Sequence, residues 1–201
     1  MSERRQYDSL RRTVQAQETR ADIARAARKL FVEQGWAATT VRDVAREAGV
    51  SVPTVYAAYT NKTGLAMALA DAADLTADGA KLLEELEAAG PREQLAAMAG
   101  YDRRLFDRAG DIILLVRNAG PELAAMYLEA RRRGDETRIQ VFSSWPAGVL
   151  RHDLETSVDV YAAVCNIDVY TTLTTERGWE PDRIEQWWSR MLARELLGGS
   201  A

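Results

Sequence analysis

Cysteine is almost missing from this chain: Cys165 is the only one among 201 residues. No internal disulfide can form, and no CxxC or Cys/His cluster offers zinc-ligand spacing. Histidine is equally scarce. His152 stands alone beside Asp153. With no serine or cysteine nucleophile motif, phosphate loop or metal-ligand set to complete it, the pair makes a poor active centre. No enzymatic activity, cofactor or metal is therefore expected. Long apolar runs are absent too. The longest strongly apolar stretch, Ile112 to Val116, is far too short to cross a bilayer. The charged opening MSERRQYDSLRRTVQAQETR has no apolar segment of the kind that directs export. A cytoplasmic protein without membrane contact is the expectation. Sustained alternation of apolar and polar residues bounded by turn signals is also missing, which removes the sheet classes and leaves an all-α fold.

What remains is ample for folding. Hydrophobic residues make up 47% and charged residues 28% of the chain, so a core can form without staples and the disordered class is excluded. The net charge of −4 is unevenly spread. Residues 1–62 carry 11 Lys+Arg against 7 Asp+Glu, a net of +4, whereas the remainder carries 15 against 23, a net of −8. The basic end is where a polyanion would bind, although so small a surplus also suits ordinary solvated helix faces.

Helix signals punctuate the sequence. Thr19 and Asp22, three apart, read as a capping box opening a helix with Ile23, Ala27, Leu30 and Phe31 on one face, closed by Gly35. Residues 1–18 before it read as a mobile basic arm. Thr40 and Asp43 repeat the box at the head of a short helix that buries Val41, Val44, Ala45 and Ala48 and stops at Gly49. Ser51 then caps a third helix, with Val50 and Val55 spaced as a hydrophobic staple and Pro53 in the first turn, where a missing N–H costs nothing. Asn61 caps a fourth, whose apolar stripe of Leu65, Leu69, Ala72, Ala73, Leu83 and Leu86 predicts one long helix to Gly90-Pro91. Helices are expected over 91–109, 111–119, 121–145, 155–177 and 181–197, with Pro91, Pro121 and Pro181 as first-turn markers. Gly134 reads equally as a kink, a close helix contact or a break.

Two short helices joined by Gly49-Val50, the second firmly capped, form a helix-turn-helix pattern, in which the later helix enters the major groove of DNA. At 100° per residue from Val52, Val55 and Tyr59 fall on the core side while Pro53, Tyr56 and Ala57 gather on the groove side. The run Thr40-Val-Arg-Asp-Val-Ala-Arg-Glu-Ala-Gly-Val-Ser-Val-Pro-Thr-Val-Tyr-Ala-Ala-Tyr-Thr-Asn-Lys62, preceded by Leu30-Phe31 and Gly35, resembles the tetracycline-repressor (TetR) family of regulators. The resemblance covers residues 19 to 65. It implies a homodimer with an N-terminal three-helix DNA-binding domain, here 19–62, and a helical effector-binding and dimerisation domain, here 63–201. By matched position it implies that Arg42 reads a base. Val52, Pro53, Thr54 and Tyr56 would lie in the groove, and Thr40, Ser51 and Lys62 would hold phosphates, with the N-terminal arginines adding phosphate attraction. Because Val52, Ala57 and Ala58 stand where other members often carry polar or aromatic residues, part of the specificity is expected from DNA shape. The lactose-repressor type of motif also resembles Val41 to Ser51, but it opens its chain with the motif and continues into α/β domains, whereas here a helix precedes and helices follow.

Beyond the motif, Phe106, Tyr127, Phe142, Trp145, Tyr161 and Trp179 either line an effector cavity between helices or fill a core. Cys165, Asn166 and Asp168 interrupt an apolar helix, so protein groups, a bound ligand or solvent must satisfy them. No basic neighbour marks Cys165 as a stabilised thiolate. Val160, Val164, Ile167, Ile184, Trp187, Trp188, Met191 and Leu192 form an apolar surface read as the dimer face, in line with the resemblance. The function expected is a repressor released from a near-palindromic operator on double-stranded DNA by an unidentified small, largely apolar molecule. A helical protein-binding adaptor without DNA affinity, or an enzyme, is the alternative.

Overall fold

The computed structural model describes residues 2–76, 78–87 and 89–198. All regular elements are helical: α1 (Ser2–Ala38), α2 (Val41–Glu47), α3 (Val52–Tyr59), α4 (Lys62–Thr76), α5 (Gly79–Glu87), α6 (Pro91–Asn118), α7 (Pro121–Ser143), α8 (Leu154–Val164), α9 (Ile167–Thr171) and α10 (Pro181–Leu196), with a π-helical turn, Thr172–Glu176, after α9. Among the described residues the only β-type pairing is the isolated bridge between Leu150 and Leu197. Among the described residues no helix is long and apolar enough to cross a membrane. The chain divides into two compact units, residues 1–71 and 72–201.

In the first unit the α1 helix is longer than its expected start at Thr19. Met1 of the expected arm lies outside the described residues, and from Ser2 the backbone is helical. Thr19 caps nothing. Its hydroxyl donates back to the Gln15 carbonyl at 2.8 Å, the mid-helix habit of threonine, and Asp22 pairs with Arg25 at 2.8 Å. Nothing in the stretch before it, which lacks both Gly and Pro, forces a break. Gly35 does end the helical geometry: its φ of 81° is left-handed, which a side chain resists. The unit's interior is built from Ile23, Ala27, Leu30 and Phe31 of α1, Val44 and Ala45 of α2, Val55 of α3, and Leu65 and Ala66 of α4.

The second unit is organised around α6, which packs against α5, α7, α9 and α10. Leu95, Met98 and Ala99 of α6, Phe142 of α7, Tyr161 of α8, and Ile184, Trp188, Leu192 and Leu196 of α10 form one buried cluster. Several expected boundaries move. The long helix from Asn61 is two helices, broken at Asp78, which takes φ 67° just before Gly79. Gly110 does not divide 91–119; it lies inside α6, where the Ile167 side chain approaches so closely that a Cβ would sit 3.2 Å from its Cδ1. The expected helix 155–177 breaks at Cys165, because Asn166 accepts N–H bonds from Asp168 and Val169, each at 3.0 Å, and so starts α9. Gly134 does not break the helix: α7 continues through it, and what lies nearest its missing side chain is the Arg138 guanidinium of the same helix, with Nη1 3.1 Å from the Cβ position, rather than a neighbouring helix.

Candidate functional site

The motif of the first unit is assembled by its caps. Thr40 Oγ1 accepts from the Asp43 amide at 3.2 Å, and the Asp43 carboxylate accepts from the Thr40 amide at 3.1 Å and hydroxyl at 2.6 Å, a complete capping box. Bonding to the Thr40 hydroxyl, then to its amide, holds the Asp43 carboxyl below the ordinary aspartate value. After α2, Gly49 takes φ 66°, and the Val50 amide donates to the Ala45 carbonyl at 2.9 Å, closing the turn. Ser51 Oγ then accepts from the Thr54 amide at 3.3 Å and shares a 2.8 Å hydrogen bond with the Thr54 hydroxyl. Thus α3 begins where the sequence places it, with Pro53 in its first turn.

The helix turns its two faces as expected. Val55 is buried and Tyr59 half-buried, whereas Tyr56 is 49% exposed and Pro53 and Ala57 are open to solvent. Thr54 and Val52 lie half-buried at the edge of that face. Arg42 of α2 is exposed, and among the described residues no hydrogen bond or ion pair engages its guanidinium. Two side chains hold the unit together in ways composition could not reveal. Arg20, counted with the phosphate-attracting arginines, donates to the Ala58 carbonyl at 2.9 Å near the C-terminus of α3, where a cation suits the helix dipole. Lys62 donates to the Trp36 carbonyl and stands 4.2 Å from the centroid of the Trp36 ring; burial draws its pKa below the ordinary lysine value.

The second unit contains a cavity of about 390 Å³ lined by residues of α5, α6, α7, α8 and α9 and by Cys165. Of the expected ligand residues, Phe106, Tyr127, Tyr161 and Cys165 line it. Phe142 and Trp145 do not. Their rings pack at a tilt with centroids 4.7 Å apart, Phe142 is fully buried, and the Trp145 indole N–H donates to Gln94, so both are packing residues. Asn166 and Asp168 also turn away. Asn166 is consumed by capping α9 and by donating to the Ala163 carbonyl at 2.8 Å, while Asp168 pairs at the surface with Arg117 at 2.8 Å. Trp179 packs edge-on against Trp187 at 5.9 Å beneath the Arg183 guanidinium.

The expected dimer face divides likewise. Ile184, Trp188 and Leu192 are fully buried within their own unit, and Ile167 is buried against the cavity, because α10 needs its apolar stripe to pack on α6. Val160, Val164, Trp187 and Met191 are half-exposed.

The polar wall of the cavity went unread in the sequence. Asp102 is buried, and its Oδ2 accepts from the Tyr161 hydroxyl at 3.0 Å and from the Arg138 guanidinium at 3.3 Å. Arg138 also lies 4.5 Å from the Tyr161 ring centroid and donates to Asp135 at 2.7 Å. Burial pushes the Asp102 carboxyl up, opposed by Arg138, and pushes the Tyr161 hydroxyl and the Cys165 thiol well above their ordinary values. An inert thiol follows. The missed signal is positional: Leu95, Met98, Ala99 and Asp102 fall on one helical stripe, so an acid occupies a core register.

Comparison with known proteins bears chiefly on the first unit. Residues 23–69 match the model of bacterial regulatory proteins of the tetR family. The HTH-type transcriptional regulator TtgR of Pseudomonas putida is 44% identical over 70 residues, which cover 34% of this chain and 33% of that protein. The chain thus spans about a third of the length of the curated relatives it matches. Among solved structures, NalD, the secondary repressor of the MexAB-OprM multidrug efflux pump in Pseudomonas aeruginosa, superimposes with a TM-score of 0.74 at 20% identity, covering 92% of this chain and 98% of that one. A bacterial regulatory protein of the tetR family from Rhodococcus RHA1 gives 0.73 at 19% identity, with coverage of 90% and 98%. These likenesses establish the fold.

Proposed function

Because residues 23–69 match the model of the tetR family of bacterial regulatory proteins, we propose that this chain is a transcriptional repressor of that kind, which leaves its operator on binding a small, largely apolar effector. One observation carries the reading. A short helix, capped by Ser51 and clamped at its other end by Arg20, leaves Pro53, Tyr56 and Ala57 facing solvent, with nothing of its own unit covering them. Such a face is the kind that enters a major groove.

In this reading Arg42 donates two hydrogen bonds to guanine, worth about 1 to 3 kcal/mol in discrimination. Tyr56, Pro53, Thr54 and Val52 contact bases or backbone in the groove. Thr40 and Ser51, whose hydroxyls are oriented by their caps, and Lys62, oriented by Trp36, hold phosphates and so set register without reading sequence. A second copy docks on the half-exposed side of α8 and α10 formed by Val160, Val164, Trp187 and Met191. Two-fold symmetry then presents two recognition helices about 34 to 36 Å apart, matching a near-palindromic site.

The effector occupies the cavity of the second unit and favours an arrangement with the wrong spacing. Moving such an equilibrium from 1:99 to 99:1 takes about 5.5 kcal/mol of differential binding, which burial of an apolar ligand can supply. The test is a footprint on duplex DNA flanking the protein's own gene, with and without a panel of apolar metabolites. Protection of a near-palindromic segment, lost with one of the metabolites, supports the reading; no protected segment contradicts it.

A further inference from the structure

The cavity has one acid and three bases on its walls: Asp102 against Arg131, Arg133 and Arg138. Their charges are not equally available. Asp102 and Arg138 are within 3.3 Å of each other, Tyr161 donates to the same carboxylate oxygen, and Asp135 takes another edge of Arg138, so that group is closed. Arg133 acts electrostatically on Glu129. Arg131 is different. It is half-buried, and among the described residues no hydrogen bond or contact-length ion pair engages its guanidinium, although it faces the cavity and senses the Asp102 charge. The spacing of Arg131, Gly134 and Arg138 puts them on one face of α7. Arg138 folds back over Gly134 toward its acids, its Nη1 lying 3.1 Å from where a Cβ of Gly134 would stand. Among the described residues Arg131 is thus the half-buried cavity cation that no acid engages at contact distance.

We propose that the effector is an apolar monocarboxylate, its carboxylate held by Arg131 and its body lying along Leu82, Met98, Phe106, Ile113 and Ile167. The proposal rests on the cavity being the effector site and adds the chemistry of the ligand. A cationic ligand would meet three guanidinium groups, while the one carboxylate in reach already accepts from Arg138 and Tyr161. A neutral apolar ligand would strip water from Arg131 and return nothing, a cost buried charges do not bear unpaired. A carboxylate removes that cost, because its two oxygens match the guanidinium fork. A second negative charge on the ligand would have to lie against the aliphatic and aromatic wall, which favours a single charge.

The test uses the full chain and calorimetric titration with decanoate, decan-1-ol and decylamine, which share one chain and differ in head group. The pair 2-naphthoate and 2-naphthol separates an acyl body from an aromatic one. One of the two acids is expected to bind at least about tenfold more tightly than its alcohol, with the amine weaker than decan-1-ol. Arg131→Gln removes that preference and leaves alcohol binding within about twofold. Arg131→Lys, which keeps the charge but not the fork, falls between. Arg132→Gln, on an exposed residue paired with Glu129 and Glu136, binds like the parent, and helical circular dichroism confirms that each variant is folded. An alcohol or amine that matches the acids, a preference that survives Arg131→Gln, or failure of both acids to bind overturns the proposal. Its failure is separable from that of the effector reading. If a neutral or cationic compound binds and frees DNA, the effector site stands and the carboxylate fails. If an acid binds through Arg131 and DNA stays bound, the carboxylate stands and release fails.

Discussion

Arg20 and Tyr59 hold each other from both sides: the Tyr59 hydroxyl donates to the Arg20 carbonyl at 2.9 Å, and the Arg20 guanidinium lies 5.9 Å from the Tyr59 ring while donating to the Ala58 carbonyl at 2.9 Å. This clasp fixes the exit of α3 on α1 as Ser51 fixes its entrance. The recognition helix has only eight residues, too few to be stable alone, so its geometry depends on both ends.

Breaking the clasp is expected to loosen the helix without touching its groove face. Tyr59→Phe should cost about 1 kcal/mol, the usual net value of one hydrogen bond. Faster amide hydrogen exchange at Thr60 and Tyr59, with exchange in the second unit unchanged, is the expected readout.

Capping and DNA contact can be separated at Ser51. Ser51→Ala removes the acceptor for the Thr54 amide and should cost about 1 kcal/mol in the first unit. Ser51→Asp keeps the cap but sets a negative charge where a phosphate is expected. Its melting temperature should match the parent while its DNA affinity falls, measured by thermal denaturation and by fluorescence anisotropy on a bound duplex.

Acid should open the head of α2. The hydroxyl and amide of Thr40 depress the Asp43 pKa below its ordinary 3.8. A depressed carboxylate contributes stability that is present above the unfolded-state value and is lost as pH falls through the lower folded value. The Thr40 and Asp43 amide resonances should therefore stay constant from neutrality down to about pH 5, then shift together as Asp43 protonates. Asp43→Asn should remove that joint shift.

The closed group in the second unit gives a larger effect. Asp102→Ala removes one of the two acids on Arg138 in a nearly buried site, 14% exposed, and should cost about 3 kcal/mol, the low end for a broken buried pair because Asp135 remains. Tyr161→Phe should cost about 1 kcal/mol, since it removes one of the two donors to Asp102 Oδ2 and leaves the Arg138 bond in place. The double change Asp102→Leu with Arg138→Met should recover most of the loss, because two apolar side chains replace a pair that burial penalises. Urea denaturation measures all three.

How much of this could be read from residues alone follows from the range of the forces involved. The α2–turn–α3 motif is written in neighbours: Thr40 with Asp43, Gly49, Ser51 with Thr54, all within a turn of one another, so sequence and structure agree there. Helix ends set by a local cap were also legible at Asn61, which accepts from the Gly64 amide at 2.7 Å. The cavity depends on distant partners. Asp102 meets Tyr161 and Arg138 across 59 and 36 positions, and no local spacing announces such a meeting. Asn166 shows the opposite error, in which a polar residue in an apolar stretch suggested a ligand contact but was spent on starting a helix. Ile184, Trp188 and Leu192 were assigned to a partner because apolar residues on one stripe look alike whether they meet the same chain or another.

The central claim is that the exposed face of α3 and Arg42 of α2 read duplex DNA, and selection from a pool of random duplexes tests it most directly. The parent should enrich a near-palindromic site whose halves lie about 10 base pairs apart, centre to centre, whereas Arg42→Ala with Tyr56→Ala, equally folded and equally associated, should enrich none. Enrichment of the same site by the double variant, or of no site by the parent, would contradict the account.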